Sequence, residues 1–398
     1  MIRLPPPGPP LIAHVFPSFA VGGAQVRFAA LANHFGSAFR HVVVSLDGNL
    51  ACRERLRSDL DVVFPAVTAP KNAMLANACR FRRMLREWRP DVLVTGNWGA
   101  IEFALANILP VARHIHVEDG FGPEERSAQI PRRVTTRRLV LGRSIVVLPS
   151  RNLVRIATDV WKLNPRHVRY VPNGVDLSRF AQAAVLPDDD APAIGATGGL
   201  PPDIDAIDIR SSGINPLDVR PPVIGTVAAL REEKNLVRLL RAFARVVAIR
   251  PARLVIVGDG AERAKLETLA VTLGVAGSVT FTGHRDDTPA LYAGFDVFAL
   301  SSDTEQMPLS VIEAMASGLA VAATDVGDVR TMVARENVPF VGPLDDQALA
   351  ASIAALLADA PRRAAIGRAN RAKAGRDFDQ AAMFAAWRDV WTGVVRPA

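Results

Sequence analysis

Cysteine is scarce in this chain. Two residues among 398, Cys52 and Cys79, give neither a metal-ligand spacing nor a disulfide framework, which excludes a zinc module and a disulfide-stapled scaffold. Two incidental reduced thiols are expected, with one bridge between them as the alternative. Long apolar runs are missing too, since none approaches the roughly 18 residues of a membrane-spanning helix. The opening Met1-Ile2-Arg3-Leu4, followed by prolines, lacks the apolar stretch of a signal peptide, so a soluble, cytoplasmic chain is expected. A dinucleotide fingerprint is also absent. No Gly-x-Gly-x-x-Gly occurs, and Gly258-Asp259-Gly260 meets Arg263 where the third glycine belongs, so nicotinamide and flavin chemistry lose support. Nor is there a Ser-His-Asp signature for covalent catalysis.

What remains points to packed α/β cores. Hydrophobic residues make up 49% of the chain and charged residues 22%, enough apolar surface to rule out global disorder. A chain of 398 residues is too long for one ordinary core and suits two domains of roughly 150 to 200 residues each. The formal charge of +7 favours anionic partners: nucleotide phosphates, anionic lipid headgroups or nucleic acid. No recognised DNA- or RNA-binding module accompanies it, so nucleic acid is not expected as a partner.

Short apolar runs alternate with amphipathic stretches from Leu11 to about Phe180. Strands are predicted at Leu11–Phe16, His41–Val44, Val92–Thr95, His114–Val117, Ile145–Leu148 and Val168–Val171, with a helix from Gln25 to Phe35. Such alternation implies a parallel sheet wrapped by helices. Residues 1–180 therefore form a first Rossmann-like, doubly wound domain. Over 181–221 the periodicity gives way to prolines, glycines and aspartates, the mark of a linker or excursion. The rhythm resumes in 222–375, with strands at Val223–Val227, Leu254–Val257, Val279–Phe281 and Val297–Leu300 and helices over 235–249 and 261–273. Residues 376–398 form a last helix whose Phe378, Met383, Phe384, Trp387 and Trp391 suit either packing across both domains or an ordinary terminal core helix.

Three segments have the residues for chemistry. Gly22-Gly23 lies between the first strand and its helix, where glycine permits close backbone approach and a helix start offers N–H donors to an anion. Plain turn chemistry is the competing account. Around Glu305 and Glu313, the first acid falls in a loop after a strand and the second on the following helix, about one turn beyond its start. Two carboxylates at the carboxyl edge of a sheet suit the vicinal hydroxyls of a ribose or hexose, and the helix start suits a diphosphate. Capping by Glu305 and solvation of Glu313 would be the bland account, but Val311-Ile312-Glu313-Ala314-Met315-Ala316 is an apolar context. In Leu230-Arg231-Glu232-Glu233-Lys234-Asn235, two cations beside a helix start call for a negative partner: the neighbouring glutamates, or a diphosphate.

These segments resemble the family 4 glycosyltransferases of the GT-B fold, and the resemblance covers nearly the whole chain. It rests on Leu230–Asn235, Leu254–Gly260, Phe281–Arg285, Leu291-Tyr292, Asp296–Phe298, the paired glutamates within Glu305–Gly318, Val171–Asp176 with Phe180, and Gly22-Gly23. It implies a retaining, nucleotide-sugar-dependent transferase with two Rossmann-like domains facing each other across a cleft. By that resemblance Glu313 holds the donor ribose, Glu305 the donor-sugar hydroxyls, and Arg231 with Lys234 the diphosphate. Gln306, Met307, Pro308 and Leu309 complete the donor loop. Where the family often has Gly-Arg-Leu, this chain has Ala228-Ala229-Leu230, so Arg231 stands in for an absent arginine, and Gln306 replaces a common glycine. For the family's first-domain histidine, His116, Glu118 and Asp119 compete. The leaving phosphate is expected to take the acceptor's proton, with no protein nucleophile and no essential metal.

The acceptor is expected to be a glycan, a lipid-linked sugar or a small molecule. Arginine-rich stretches at Arg80–Arg89 and Arg132–Arg143 suit peripheral contact with an anionic membrane, or simply a solvated helix face. A non-catalytic sugar-nucleotide binder with the same fold is the rival reading, raised by Ala229 and Gln306.

Overall fold

A computed structural model of the chain describes residues 8–70, 73–125, 128–183, 220–285 and 287–394. The first half runs β1 (Leu11–Phe16), α1 (Gly23–Phe35), β2 (Arg40–Ser45), β3 (Val62–Val63), α2 (Met74–Trp88), β4 (Val92–Gly96), α3 (Ile101–Ala106) and β5 (Arg113–Val117). It continues with α4 (Pro131–Val140), β6 (Ile145–Leu148), α5 (Arg151–Asp159), β7 (Val168–Tyr170) and α6 (Leu177–Ala183). The second half runs β8 (Val223–Val227), α7 (Leu236–Val247), β9 (Arg253–Val257), α8 (Arg263–Thr272), β10 (Val279–Gly283), α9 (Thr288–Ala293), β11 (Val297–Leu300) and α10 (Leu309–Ala316). Then come β12 (Ala320–Thr324), α11 (Val329–Met332), β13 (Val341–Gly342), α12 (Asp346–Ala358), α13 (Ala360–Asp377) and α14 (Gln380–Thr392).

The strands form two wholly parallel sheets, β3-β2-β1-β4-β5-β6-β7 and β10-β9-β8-β11-β12-β13. Helices cover both faces, so strands such as β1 and β12 are buried at every position, which is why they are apolar but for His14 and Thr324. Strand order reverses between β1 and β4 in one sheet and between β8 and β11 in the other. Loops splay apart at such a switch point and leave a crevice beyond the carboxyl ends of the strands.

The described residues divide into two compact units, with boundaries at Asn173/Gly174 and Asp379/Gln380. The first unit thus ends before 180. Phe180 is buried edge-on against Tyr292 of α9, ring centroids 5.9 Å apart, which ties α6 to the second unit. Most of the expected linker over 181–221 lies outside the described residues. In α14, Met383, Phe384, Trp387 and Trp391 enter one buried cluster with Ile12, Leu31, Val94, Ile115 and Val117, so this helix completes the first unit's core. Cys52 is buried and Cys79 exposed, both as free thiols. Among the described residues, no helix is long and apolar enough to cross a membrane.

Candidate functional site

In the second unit the site grows from two loops, after β8 and after β11, which flank the switch point. Past β8 the chain passes Ala228–Leu230 and a short 3-10 turn, Glu232–Lys234, before Asn235 caps α7 with its side chain accepting from the Arg238 amide. The loop after β9 lies close behind: the amides of Ala228 and Leu230 donate to the carbonyls of Val257 and Asp259, each at 3.0 Å. A Cβ at Gly258, which has φ +136°, would lie 1.9 Å from the Ala228 carbonyl oxygen. Gly258-Asp259-Gly260 is therefore a device for packing two loops backbone to backbone.

The β8 and β11 loops are stitched together. The Asp303 amide donates to the Glu233 carbonyl at 2.8 Å, Ser301 Oγ donates to the Lys234 carbonyl at 2.9 Å, and Arg238 forms an ion pair with Asp303 at 2.8 Å. This frame brings Lys234 and Glu305 together. Lys234 Nζ donates to Glu305 Oε1 at 2.6 Å, and Ser302 Oγ donates to the same oxygen at 2.8 Å. Arg231 is exposed and forms no ion pair with a described residue, so its charge is open to solvent. Gly327 presses on the loop from behind: a Cβ there would lie 2.3 Å from the Glu305 carbonyl oxygen, and the Asp328 amide donates to the Gln306 carbonyl at 3.0 Å.

Met307 is buried, Pro308 occupies the N-cap position of α10, and Leu309 opens the helix. Proline offers no side-chain acceptor; the Val311 and Ile312 amides turn back to the Pro308 carbonyl, which leaves the amides of Leu309 and Ser310 at the helix start for an anion. One turn in, Glu313 Oε2 accepts from Tyr292 Oη at 2.8 Å, while the same hydroxyl also reaches the Ser310 carbonyl at 3.1 Å. Burial raises the Glu313 carboxyl to about 7, against the opposing pull of the Tyr292 hydrogen bond and of the Arg179 charge. Glu305, by contrast, is held beside a cation. Two acids on one loop-helix segment thus sit in different electrostatic settings.

In the first unit Gly22 is the extended N-cap of α1, and Gln25 Nε2 donates to the Ser18 carbonyl at 2.8 Å, closing the loop. Gly23 is the first residue of the helix, and no side chain caps it. The three acidic and histidine candidates beyond β5 are separated by the fold. His116 is fully buried, its Nδ1 2.8 Å from Thr95 Oγ1, and burial lowers its pKa to about 3. Glu118 is fully buried as well, 3.3 Å from Arg137 Nε, and burial raises its carboxyl to about 8. Neither side chain lines either of the two cavities at this edge of the sheet. Asp119 does: it borders two, and Arg27 of α1 grips it with two hydrogen bonds of 2.7 and 2.9 Å. A third bond, 2.8 Å from Arg27 to Asn173 Oδ1, and one of 2.7 Å from the Asp119 amide to Asn97 Oδ1, hold the arrangement. Of the three, Asp119 is the one that borders these two cavities.

The sequence reading passed over Arg27, Ser302, Asn97 and the role of Tyr292. A charged residue on the apolar side of α1 was the available signal for Arg27, which is 8% exposed.

Comparison with known proteins agrees with this layout. Residues 209–373 match the family model described as glycosyl transferases group 1, and residues 21–179 match that of glycosyltransferase family 4. The chain belongs to the family 4 glycosyltransferases. A lipopolysaccharide core biosynthesis glycosyltransferase of Rhizobium meliloti is 35% identical over 139 residues, 35% of this chain and 40% of that protein. A D-inositol 3-phosphate glycosyltransferase of Salinispora tropica is 31% identical over 283 residues, 69% of this chain and 56% of that one. The alignments thus span roughly half the length of these curated relatives. The Anabaena HepE structure with UDP shares the fold at TM-score 0.74 and 19% identity, covering 97% of this family 4 chain and all of that one. A glycosyltransferase of Rickettsia africae superimposes at TM-score 0.73 and 15% identity over 98% of this chain and all of that one.

Proposed function

We propose that the chain transfers a sugar from a nucleotide-sugar donor to an acceptor hydroxyl, with retention of anomeric configuration. The observation that carries the reading is the β11–α10 segment: Glu305 against Lys234, an uncapped helix start, and Glu313 positioned by Tyr292. In this reading Glu313 accepts from the donor ribose and Glu305 from the sugar hydroxyls. Lys234, Arg231 and the amides of Leu309 and Ser310 hold the diphosphate, with the backbone of Gln306, Met307 and Pro308 shaping the loop. The C–O bond from the anomeric carbon to phosphate breaks as the acceptor oxygen attacks the same face. The acceptor's proton passes to the departing phosphate oxygen, and the cations offset the charge developing there. No metal ion is needed for any of these steps.

HepE binds UDP, and other relatives are GDP-mannose-dependent, so the test spans bases. Thermal shift with UDP, GDP, ADP and their sugars should show one base stabilising the protein by several degrees at about 100-fold excess over Kd. Glu313→Ala should abolish that shift. No stabilisation by any nucleotide would defeat the reading, and binding without donor hydrolysis or transfer would favour the non-catalytic alternative.

An acceptor held by the first unit at Asp119 belongs to the same proposal, with Gly22 and Gly23 admitting donor or acceptor close to α1. Peripheral contact with an anionic membrane is a further part of it, supported by exposed Arg83, Arg86 and Leu75 on α2 and Arg132, Arg138 and Leu139 on α4. Arg133 and Arg137 take no part, since both are paired inward with Glu125. Sedimentation with anionic liposomes at low salt checks it; equal binding to neutral vesicles would count against it.

A further inference from the structure

One buried ring ties Glu313 to the rest of the second unit. Tyr292 of α9 is fully buried, and three aromatic rings from separate places in the chain surround it: Phe180 of α6 at 5.9 Å, Phe295 at 5.7 Å and Phe298 of β11 at 5.8 Å between centroids. Phe180 is buried as well, and α6 packs against both α9 and α10. Edge-on and tilted contacts of this kind fix the plane of a ring as well as its place. The hydroxyl of Tyr292 therefore has a set position beside the first turn of α10.

That hydroxyl serves two acceptors. It donates to Glu313 Oε2 at 2.8 Å and reaches the Ser310 carbonyl at 3.1 Å, so one proton is shared and the shorter contact goes to the acid. No described residue hydrogen-bonds the other carboxylate oxygen, Oε1. A free glutamate has much rotamer freedom to lose when a ligand orders it, and here the tyrosine has ordered it beforehand. Were this corner purely structural, the Ser310 carbonyl alone would satisfy Tyr292, and the acid beside it, whose ionised form burial opposes, would be needless. Arg179, exposed next to Phe180, pulls the other way, its charge favouring the ionised acid.

We propose that Tyr292 and Phe180 are positioning residues that set the donor's selectivity for ribose: Tyr292 fixes one oxygen of Glu313 so that the other is presented to the ribose hydroxyls, and Phe180 holds the Tyr292 ring in place to do so. This rests on the reading of Glu313 as the acid that accepts from the donor ribose. It adds that the choice of a ribonucleotide over its deoxy forms is made from behind the site, by two buried rings, one of them on the first helix of the second unit.

The test measures UDP, GDP and ADP, each beside its 2′,3′-dideoxy counterpart, by calorimetry on the full chain. In the wild type one ribonucleotide should bind at least about 10-fold tighter than its dideoxy form, and Glu313→Ala should bring the two near parity. Tyr292→Phe keeps the ring and loses the hydroxyl: it should weaken the ribonucleotide roughly 3- to 10-fold and leave the dideoxy form unchanged. Phe180→Leu should move the same ratio in the same direction by about 2- to 3-fold. Added to Glu313→Ala, Tyr292→Phe should change neither affinity, because the group it aims is gone. Equal loss of affinity for both forms, or an unchanged ratio in Tyr292→Phe while Glu313→Ala abolishes it, would overturn the proposal and leave Tyr292 a packing residue. A ratio that survives Glu313→Ala, or no nucleotide bound at all, would instead remove the reading of Glu313 on which the proposal stands.

Discussion

Replacing Glu313 with glutamine should stabilise the ligand-free protein at pH 8 and do far less at pH 5. Burial raises this carboxyl from 4.5 to about 7. A folded-state pKa above the unfolded value means that the fold holds the proton more tightly, so the group is tolerated below 4.5 and penalises folding increasingly as pH rises to 7. A displacement of that size corresponds to about 3 kcal/mol, and the residual exposure of Glu313 trims it to roughly 1–2 kcal/mol. Glutamine keeps an acceptor for Tyr292 Oη but is never charged, so the penalty disappears. In a unit of this size the melting temperature at pH 8 should rise by roughly 2–8 °C, while at pH 5 wild type and variant should nearly coincide. Differential scanning calorimetry at both pH values measures the difference, from which other titrating groups cancel. The same substitution should weaken nucleotide-sugar binding about 10-fold or more, since the ionised acid is the stronger acceptor for ribose hydroxyls. An equal gain at both pH values, or none at pH 8, would refute the argument that function here is purchased with a buried charge.

Lys234→Ala should change unfolding free energy by less than about 1 kcal/mol, because its ion pair with Glu305 is partly exposed, yet lower nucleoside diphosphate affinity at least about 10-fold by calorimetry. A large stability loss with unchanged affinity would contradict that division. Acid should weaken the first unit: burial lowers His41 to about 4 and His114 and His116 to about 3, so each favours folding above 6.5 and progressively less as pH falls toward those values. Urea midpoints should therefore drop steadily below pH 6.5, and a flat profile down to pH 4 would count against these rings being buried and neutral. Gly258→Ala should cost about 2 kcal/mol or more, given its φ of +136° and the Ala228 oxygen 1.9 Å from the added carbon. An unchanged melting temperature would show that the two loops are not in close backbone contact.

The strands were legible because they lie inside parallel sheets and are mostly apolar, with few polar residues interrupting each run. β1, β6, β8 and β11 match their apolar runs residue for residue. Glu313 was legible because an acid in an apolar helix context is anomalous wherever it occurs, and Glu305 because it falls in the loop between a strand and that helix. The partners of these groups were not. Arg27 and Asp119 are 92 positions apart, Lys234 and Glu305 71, and Tyr292 and Glu313 21, and pairings at such separations leave no local pattern. His116 and Glu118 show the converse difficulty. The resemblance left them competing with Asp119 for one place, but β5 is central in its sheet and Arg137 of α4 lies against Glu118, sealing both side chains in. Asp119, one residue further, escapes that cover.

Because α14 supplies Trp387 and Trp391 to a core begun by β1, the first unit cannot be completed during synthesis until the last turns of the chain have left the ribosome, after every strand of the second. The segment made first is thus finished last. Until then, the surface that receives the two indoles is an open apolar patch, and a chain shortened at Asp379 would keep it so, retaining its second unit yet inviting self-association.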